Sequence, residues 1–375
     1  MRIIVNSAHQ RFGGGVQVAL SFVHECISFP ENEYHIFVGP GVAKQLDKNL
    51  FPKNFKFYYF DFGVVNLLKT YKINKVLKLY EKKIKPDCII STSGPSYFSS
   101  MAPQIIGYNL PLYIYPESPF VKGLSIYRKF RLTLKKEFHF YFFKRDANAF
   151  VAQTDDVKER VKRELKIDKV YTVTNTFNNY FQDGIKYPNR LPEKKKGQVR
   201  FLTVSAWYPH KNLDIIPKII EELKKRKILN IEFVLTIDDE SFEKHFNNKE
   251  NIRNIINIGP VDPKECPSIY NECDIMFLPT LAECFSASYP EAMVMKKPII
   301  TTDLGFARSI CGDAALFYIP KDPISAANKI EQLIKNKELG KSIIDKGISQ
   351  LKYFDSASSR ALKYLNLCKE VSKKK

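Results

Sequence analysis

No apolar run in this chain approaches the roughly 18 to 20 residues that a membrane-crossing helix needs, so nothing in it reads as an integral membrane segment. The opening Met1-Arg2-Ile3-Ile4-Val5-Asn6 reads as a strand and lacks the longer apolar core and cleavage site of a signal peptide, which leads us to expect a cytoplasmic protein. The seven cysteines (Cys26, Cys88, Cys266, Cys273, Cys284, Cys311 and Cys368) form no Cys-x-x-Cys pair and no zinc-type spacing. This scatter predicts reduced, mostly buried thiols. Six histidines form no close metal set and no Asp-x-Asp motif stands at a strand end, so neither a metal nor a cofactor is expected. Acid is also in short supply: 59 lysines and arginines face 40 aspartates and glutamates, a formal net charge of +19. Such a surface attracts nucleic acid, anionic lipid or phosphorylated substrates without choosing among them.

What is present is enough for two domains. A chain of 375 residues with 44% hydrophobic content can bury two cores. Short apolar runs alternate with helical patterns in both halves, the pattern of parallel sheets with crossover helices. Strands are expected at Arg2 to Asn6, Tyr34 to Val38, Cys88 to Thr92, Gln104 to Tyr108, Ala149 to Gln153 and Tyr171 to Asn175. A second series runs from Val199 to Ser205 through Ile231 to Thr236, Asn254 to Ile258, Asp274 to Leu278, Pro298 to Thr301 and Ala314 to Tyr318. The expected class is α/β, two Rossmann-like, doubly wound parallel-sheet domains facing a cleft. The boundaries are residues 1–177, a polar linker at 178–198 rich in turn signals, a second domain at 199–355, and a C-terminal helix at 356–375.

Chemistry concentrates where these strands end. Glu283 and Glu291 are separated by seven residues, Cys284-Phe285-Ser286-Ala287-Ser288-Tyr289-Pro290, a loop that runs from a buried strand into a helix whose first turn accommodates Pro290. Open α/β sheets bind ligands at the carboxyl ends of their strands, and ionised carboxylates accept strong hydrogen bonds from sugar hydroxyls. The amides of Phe285, Ser286 and Ala287 face the same end and suit an anion such as a diphosphate. Lys211, just after the first strand of the second half, suits the same charge. Gly13-Gly14-Gly15 follows the first strand and lets the backbone approach a phosphate or an acceptor hydroxyl, although it lacks the Gly-x-Gly-x-x-Gly spacing of a dinucleotide fingerprint. Cys284 is no nucleophile on this reading, because no histidine lies near it in sequence to activate it.

In order along the chain, Gly13-Gly14-Gly15, Pro209-His210-Lys211-Asn212, Asn257-Ile258-Gly259-Pro260-Val261, the Glu283 to Glu291 segment and Lys297-Pro298-Ile299-Ile300-Thr301-Thr302-Asp303 resemble the retaining glycosyltransferases of family 4 (glycosyl transferases group 1), whose fold is GT-B. The resemblance implies a hexosyltransferase that moves sugar from a nucleotide diphosphate sugar to a glycan or lipid-linked acceptor, with retention, in cell-surface polysaccharide synthesis. It also implies that the C-terminal helix at 356–375 returns to the first domain, and it implies roles. Glu283 would hold hydroxyls of the transferred sugar, Glu291 the ribose hydroxyls, and the loop of Gly259 and Val261 the base. Asn109 stands near the place of a family histidine and would contact sugar. Two departures are visible. Ala206 occupies the position of a family arginine, shifting the diphosphate toward Lys211, the 285–287 amides or another basic residue, and Ser286 replaces a glycine. The same architecture also serves nucleotide-sugar epimerases. A basic nucleic-acid-binding protein is a third reading that no recognised motif supports.

Between Lys122 and Arg145 eight basic residues face one acid, Glu137, and are interleaved with aromatic and aliphatic side chains; 69–78 has a similar character. This composition fits contact with an anionic membrane surface on its inner face, with rings in the interface and cations at the headgroups. It equally fits a surface helix that packs its apolar side inward.

Overall fold

A computed structural model describes residues 1–246 and 252–373. They fall into two compact units whose membership does not follow chain order. One holds Met1–Tyr115, Leu124–Asn175 and Asp355–Lys375; the other holds Pro116–Gly123 and Thr176–Phe354.

In the first unit the apolar runs become β1 (Arg2–Ser7), β2 (Glu33–Val38), β3 (Phe55–Tyr59), β4 (Cys88–Ser91), β5 (Gln104–Gly107), β6 (Ala149–Ala152) and β7 (Val170–Thr172), all paired in parallel in the order β3-β2-β1-β4-β5-β6-β7. Alternate residues of β1 enter opposite cores, because successive side chains of a strand point to opposite faces. Ile3 and Val5 join the helices Gly14–Glu25 and Ala357–Ser372 through Val16, Val23, Ala361 and Leu365. Ile4 joins Leu67–Ile84 and Ile126–Asp146 through Ile73, Leu77 and Phe142. The C-terminal helix is fastened by the buried Arg360, which donates to Ser21 Oγ at 2.7 Å and to Asn175 Oδ1. Edge strand β3 was not expected from the sequence, since its Phe-Lys-Phe-Tyr-Tyr run is half exposed and makes no continuous apolar stretch.

The second unit contains β8 (Val199–Thr203), β9 (Ile231–Leu235), β10 (Ile255–Asn257), β11 (Ile275–Leu278), β12 (Ile299–Thr302) and β13 (Leu316–Tyr318), again all parallel, in the order β10-β9-β8-β11-β12-β13. Its first core packs the helices Ile216–Lys225 and Pro323–Lys335 against Phe201, Phe233 and Phe277. In both sheets the strand order reverses beside the first strand of the unit, which makes the loops after β1 and β4, and after β8 and β11, the switch-point loops.

The polar stretch at 178–198, expected as a linker, is fastened to the second unit. Phe181 and Leu191 are buried, Tyr187 N donates to Ser268 Oγ at 3.0 Å, and Arg190 N and Leu191 N donate to the Glu272 carboxylate at 3.1 and 2.9 Å. The segment 116–123 is likewise tied down, with Ser118 Oγ donating to Leu281 O at 2.7 Å and Lys321 Nζ to Pro119 O at 2.8 Å. All seven cysteines are free and buried, and among the described residues no helix is long and apolar enough to cross a membrane.

Candidate active site

In the second unit, Lys211 and Glu283 arrive from the two loops that flank the switch point. Lys211 closes a single 3-10 turn, Pro209–Lys211, which ends because Asn212 adopts a left-handed conformation (φ 56°) that asparagine tolerates better than most residues. Leu281 N donates to His210 O at 2.8 Å and locks the two loops together. Across this lock the Lys211 ammonium donates to Glu283 Oε1, which also accepts from Thr280 Oγ1 at 3.0 Å. Both side chains are largely buried, 14% and 12% exposed. The pair is neutral as it stands. Both bonds fall on Oε1, leaving Oε2 without a hydrogen bond among the described residues. Thr280 is positioned in turn by Thr302 Oγ1, which donates to its carbonyl at 2.7 Å. His210 sits beside the pair, stacked on Tyr208 at 5.6 Å, and its burial holds the imidazole below its ordinary pKa, neutral at pH 7.

Glu291 lies on the helix Ser288–Val294, at the end of the same loop. Burial raises its carboxyl from about 4.5 to about 7, opposed only by the hydrogen bond from Tyr270 Oη at 3.3 Å. Tyr180, from the fastened 178–198 segment, also feels the Glu291 charge, so this segment helps wall the carboxylate. Phe285, Ser286 and Ala287 lie between the two carboxylates, and their amides have no acceptor among the described residues. Gly259 and Val261 follow β10, and since every strand is parallel their loop emerges at the same sheet edge as Lys211 and Glu283. Gly259 has φ +70° and open space where a Cβ would stand. Ala206 is exposed, and its neighbour Trp207 is committed to stacking on His245 at 3.9 Å.

In the first unit, Gly15 meets Asn109, and Gly13 and Gly14 precede it in the chain. Gly13 caps the helix Gly14–Glu25 with φ 82° and ψ −171°, a conformation that a side chain disfavours. A Cβ on Gly15 would stand 3.4 Å from Ser93 Oγ and 3.8 Å from Asn109 Nδ2. Asn109 Nδ2 donates to Ser93 Oγ, while Asn109 Oδ1 is buried without a partner. Two residues of the loop between β1 and the glycines escaped the sequence reading. His9 Nδ1 and Gln10 Oε1 are buried without partners, and desolvation lowers the His9 pKa to about 4, so the ring is neutral. Ser93 escaped too. The usable signal was position, polar residues immediately after predicted strand ends.

Residues 189–350 match the family model described as glycosyl transferases group 1, somewhat less than half of the chain. A curated relative, the uncharacterized glycosyltransferase MJ1178 of Methanocaldococcus jannaschii, is 26% identical over 193 residues, 48% of this chain and 53% of the relative, so the match spans about half the length of each. Among solved structures, a glycosyltransferase from Rickettsia africae superposes with a TM-score of 0.71 at 19% identity, covering 99% of this chain and 98% of that one. HepE of Anabaena, solved with UDP-glucose, gives 0.71 at 13% identity over 98% and 99%. At these identities the likeness is one of fold, and that fold is the GT-B pairing of two Rossmann-like units.

Proposed function

We propose that the chain is a glycosyltransferase of the group 1 type that transfers a hexose from a nucleotide diphosphate sugar to a glycan or lipid-linked acceptor. Retention of anomeric configuration and a place in cell-surface polysaccharide assembly belong to the same reading. It rests on one observation above the others: the coupled Lys211 and Glu283, on the two switch-point loops of the unit that carries the group 1 match. The UDP-glucose bound to HepE, a protein of the same fold, agrees with this class of donor.

The chemistry follows from charge. A nucleotide diphosphate brings negative charge to the sheet edge, and the Lys211 ammonium turns toward it, supported by the amides of Phe285 to Ala287. Glu283, released from part of its pairing, accepts from hydroxyls of the sugar held at the same edge. As the glycosidic bond to the diphosphate lengthens, charge grows on the leaving oxygen, and a fixed ammonium and backbone donors stabilise it more than the ground state. Glu291 accepts from ribose hydroxyls and the loop of Gly259 and Val261 receives the base. In the first unit, Asn109 serves as a sugar contact and the Gly13 to Gly15 turn serves the acceptor. No metal or resident cofactor enters this scheme.

A panel of nucleotide sugars tests the donor assignment. One of them should raise the melting temperature, by the equivalent of about 2.7 kcal/mol at a hundredfold excess over Kd, and Lys211→Ala should remove most of that shift. If no nucleotide sugar shifts the wild-type protein, the assignment fails. Incubation with the donor alone separates transfer from epimerisation, since an epimerase would return a mixture of two nucleotide sugars.

A further inference from the structure

The helix Ile126–Asp146 carries apolar side chains on both of its sides. Phe142 and Phe143 are buried against the sheet, as a surface helix requires, together with Asp146. Ile126, Tyr127, Phe130, Leu134 and Tyr141 face solvent, 88%, 67%, 60%, 56% and 60% exposed. At 3.6 residues per turn these five fall within a sector of about 100°, opposite the buried one. The inward packing that would explain apolar residues on a surface helix does not reach them. Contiguous exposed apolar surface of this kind marks an interaction site.

The cations of the same helix indicate what covers the stripe. Arg128, Lys129, Arg131 and Lys135 form no ion pair among the described residues, and Glu137 is the one acid between Lys122 and Arg145. The Arg131 guanidinium stands 5.8 Å from the Tyr127 ring centroid and that of Arg145 5.9 Å from Tyr141, so cations and rings share the edge. The helix Leu67–Ile84 packs on the same face of the sheet and repeats the design. Leu68 and Tyr71 are 83% and 73% exposed beside Lys72 and Lys75, while Ile73 and Leu77 fill the core.

We infer that this two-helix face of the first unit docks on an anionic lipid bilayer. Aliphatic and aromatic side chains enter the headgroup boundary, and the unpaired cations meet the lipid phosphates. A protein partner or a second copy would be expected to answer the cations with acids, and the helix itself offers one exposed acid, Glu137. The lipid surface answers both features at once.

Co-sedimentation of the full chain with vesicles tests this without any nucleotide sugar, so its outcome is independent of the glycosyl transfer proposed above. Vesicles of phosphatidylcholine with 30% phosphatidylglycerol should bind the protein at 50 mM salt and release much of it at 500 mM, whereas pure phosphatidylcholine binds far less. Phe130→Ser/Leu134→Ser leaves the charge unchanged and alters only exposed positions, and it should lower partitioning at least about tenfold. Lys129→Glu/Lys135→Glu should do the same, with an unchanged melting temperature. Lys337→Glu/Lys346→Glu, an equal change of charge in the second unit, should bind like wild type or nearly so. Equal binding of the Phe130→Ser/Leu134→Ser protein, or loss of binding as large in the second-unit control, would overturn the assignment. So would a stable dimer in solution that the same serine substitutions dissolve.

Discussion

At the residue scale, two local energies decide whether the candidate site is built as described. Lys211 and Glu283 are mostly withdrawn from water, so removing either partner strands the other's charge. Lys211→Met or Glu283→Gln should each cost about 1–3 kcal/mol, and the double variant should cost less than the sum of the two. A double-mutant cycle by chemical denaturation reads this coupling directly; strict additivity would mean the two groups do not interact. Glu291 gives a pH signature. Its native pKa of about 7 stands above the ordinary 4.5, so between those values the folded protein holds a proton that the unfolded chain has released. Stability conferred by that proton is complete below pH 4.5, declines as pH rises toward 7, and is gone above it. Wild type should therefore lose about 2–3 kcal/mol relative to Glu291→Gln between pH 4.5 and 8. A pH-independent gap between the two proteins would place the carboxyl in water.

The elements were read with uneven success, and the reasons are physical. Strands such as β1, β4 and β11 are covered on both faces of a parallel sheet, so each carries an apolar run visible in sequence. Strand β3, at the edge with an exposed Lys56 and Tyr59, offers no such run. The paired glutamates and the glycine turn could be found because motif spacing is local. The pairing of Lys211 with Glu283, the meeting of Gly15 with Asn109, and the unpartnered His9 Nδ1 and Gln10 Oε1 depend on loops brought together by sheet order, which no local pattern encodes. The 178–198 segment looked like a linker because its anchors are isolated, and the carboxylate that receives its amides belongs to Glu272, 81 and 82 residues away. Glu272→Ala should strip two amides of their acceptor and make the chain after Arg190 cut faster in limited trypsin digestion. At the C-terminus, Leu365→Ala, in the core shared with the Gly14–Glu25 helix, should cost about 2–5 kcal/mol. A shift below 1 kcal/mol would show that the helix does not complete that core.

For the whole molecule, two features follow from one chain composition. Each unit repeats the same sheet order, first strand beside the reversal, and each places its polar, chemistry-bearing residues at that reversal. The surplus of cations leaves lysines and arginines over beyond those in ion pairs, and the first unit concentrates them beside an exposed apolar stripe. The proposed transfer from a nucleotide sugar and the proposed anchoring to lipid therefore occupy different residues and fail separately. The proposed transfer depends on Glu283 touching the sugar. The most direct measurement is the rate at which a nucleotide sugar that stabilises the protein is consumed to nucleoside diphosphate, for wild type and for Glu283→Gln, each checked for folding by its melting temperature. The account predicts turnover by wild type and a loss of at least about a hundredfold in the folded variant; a Glu283→Gln protein that turns over at the wild-type rate would contradict it.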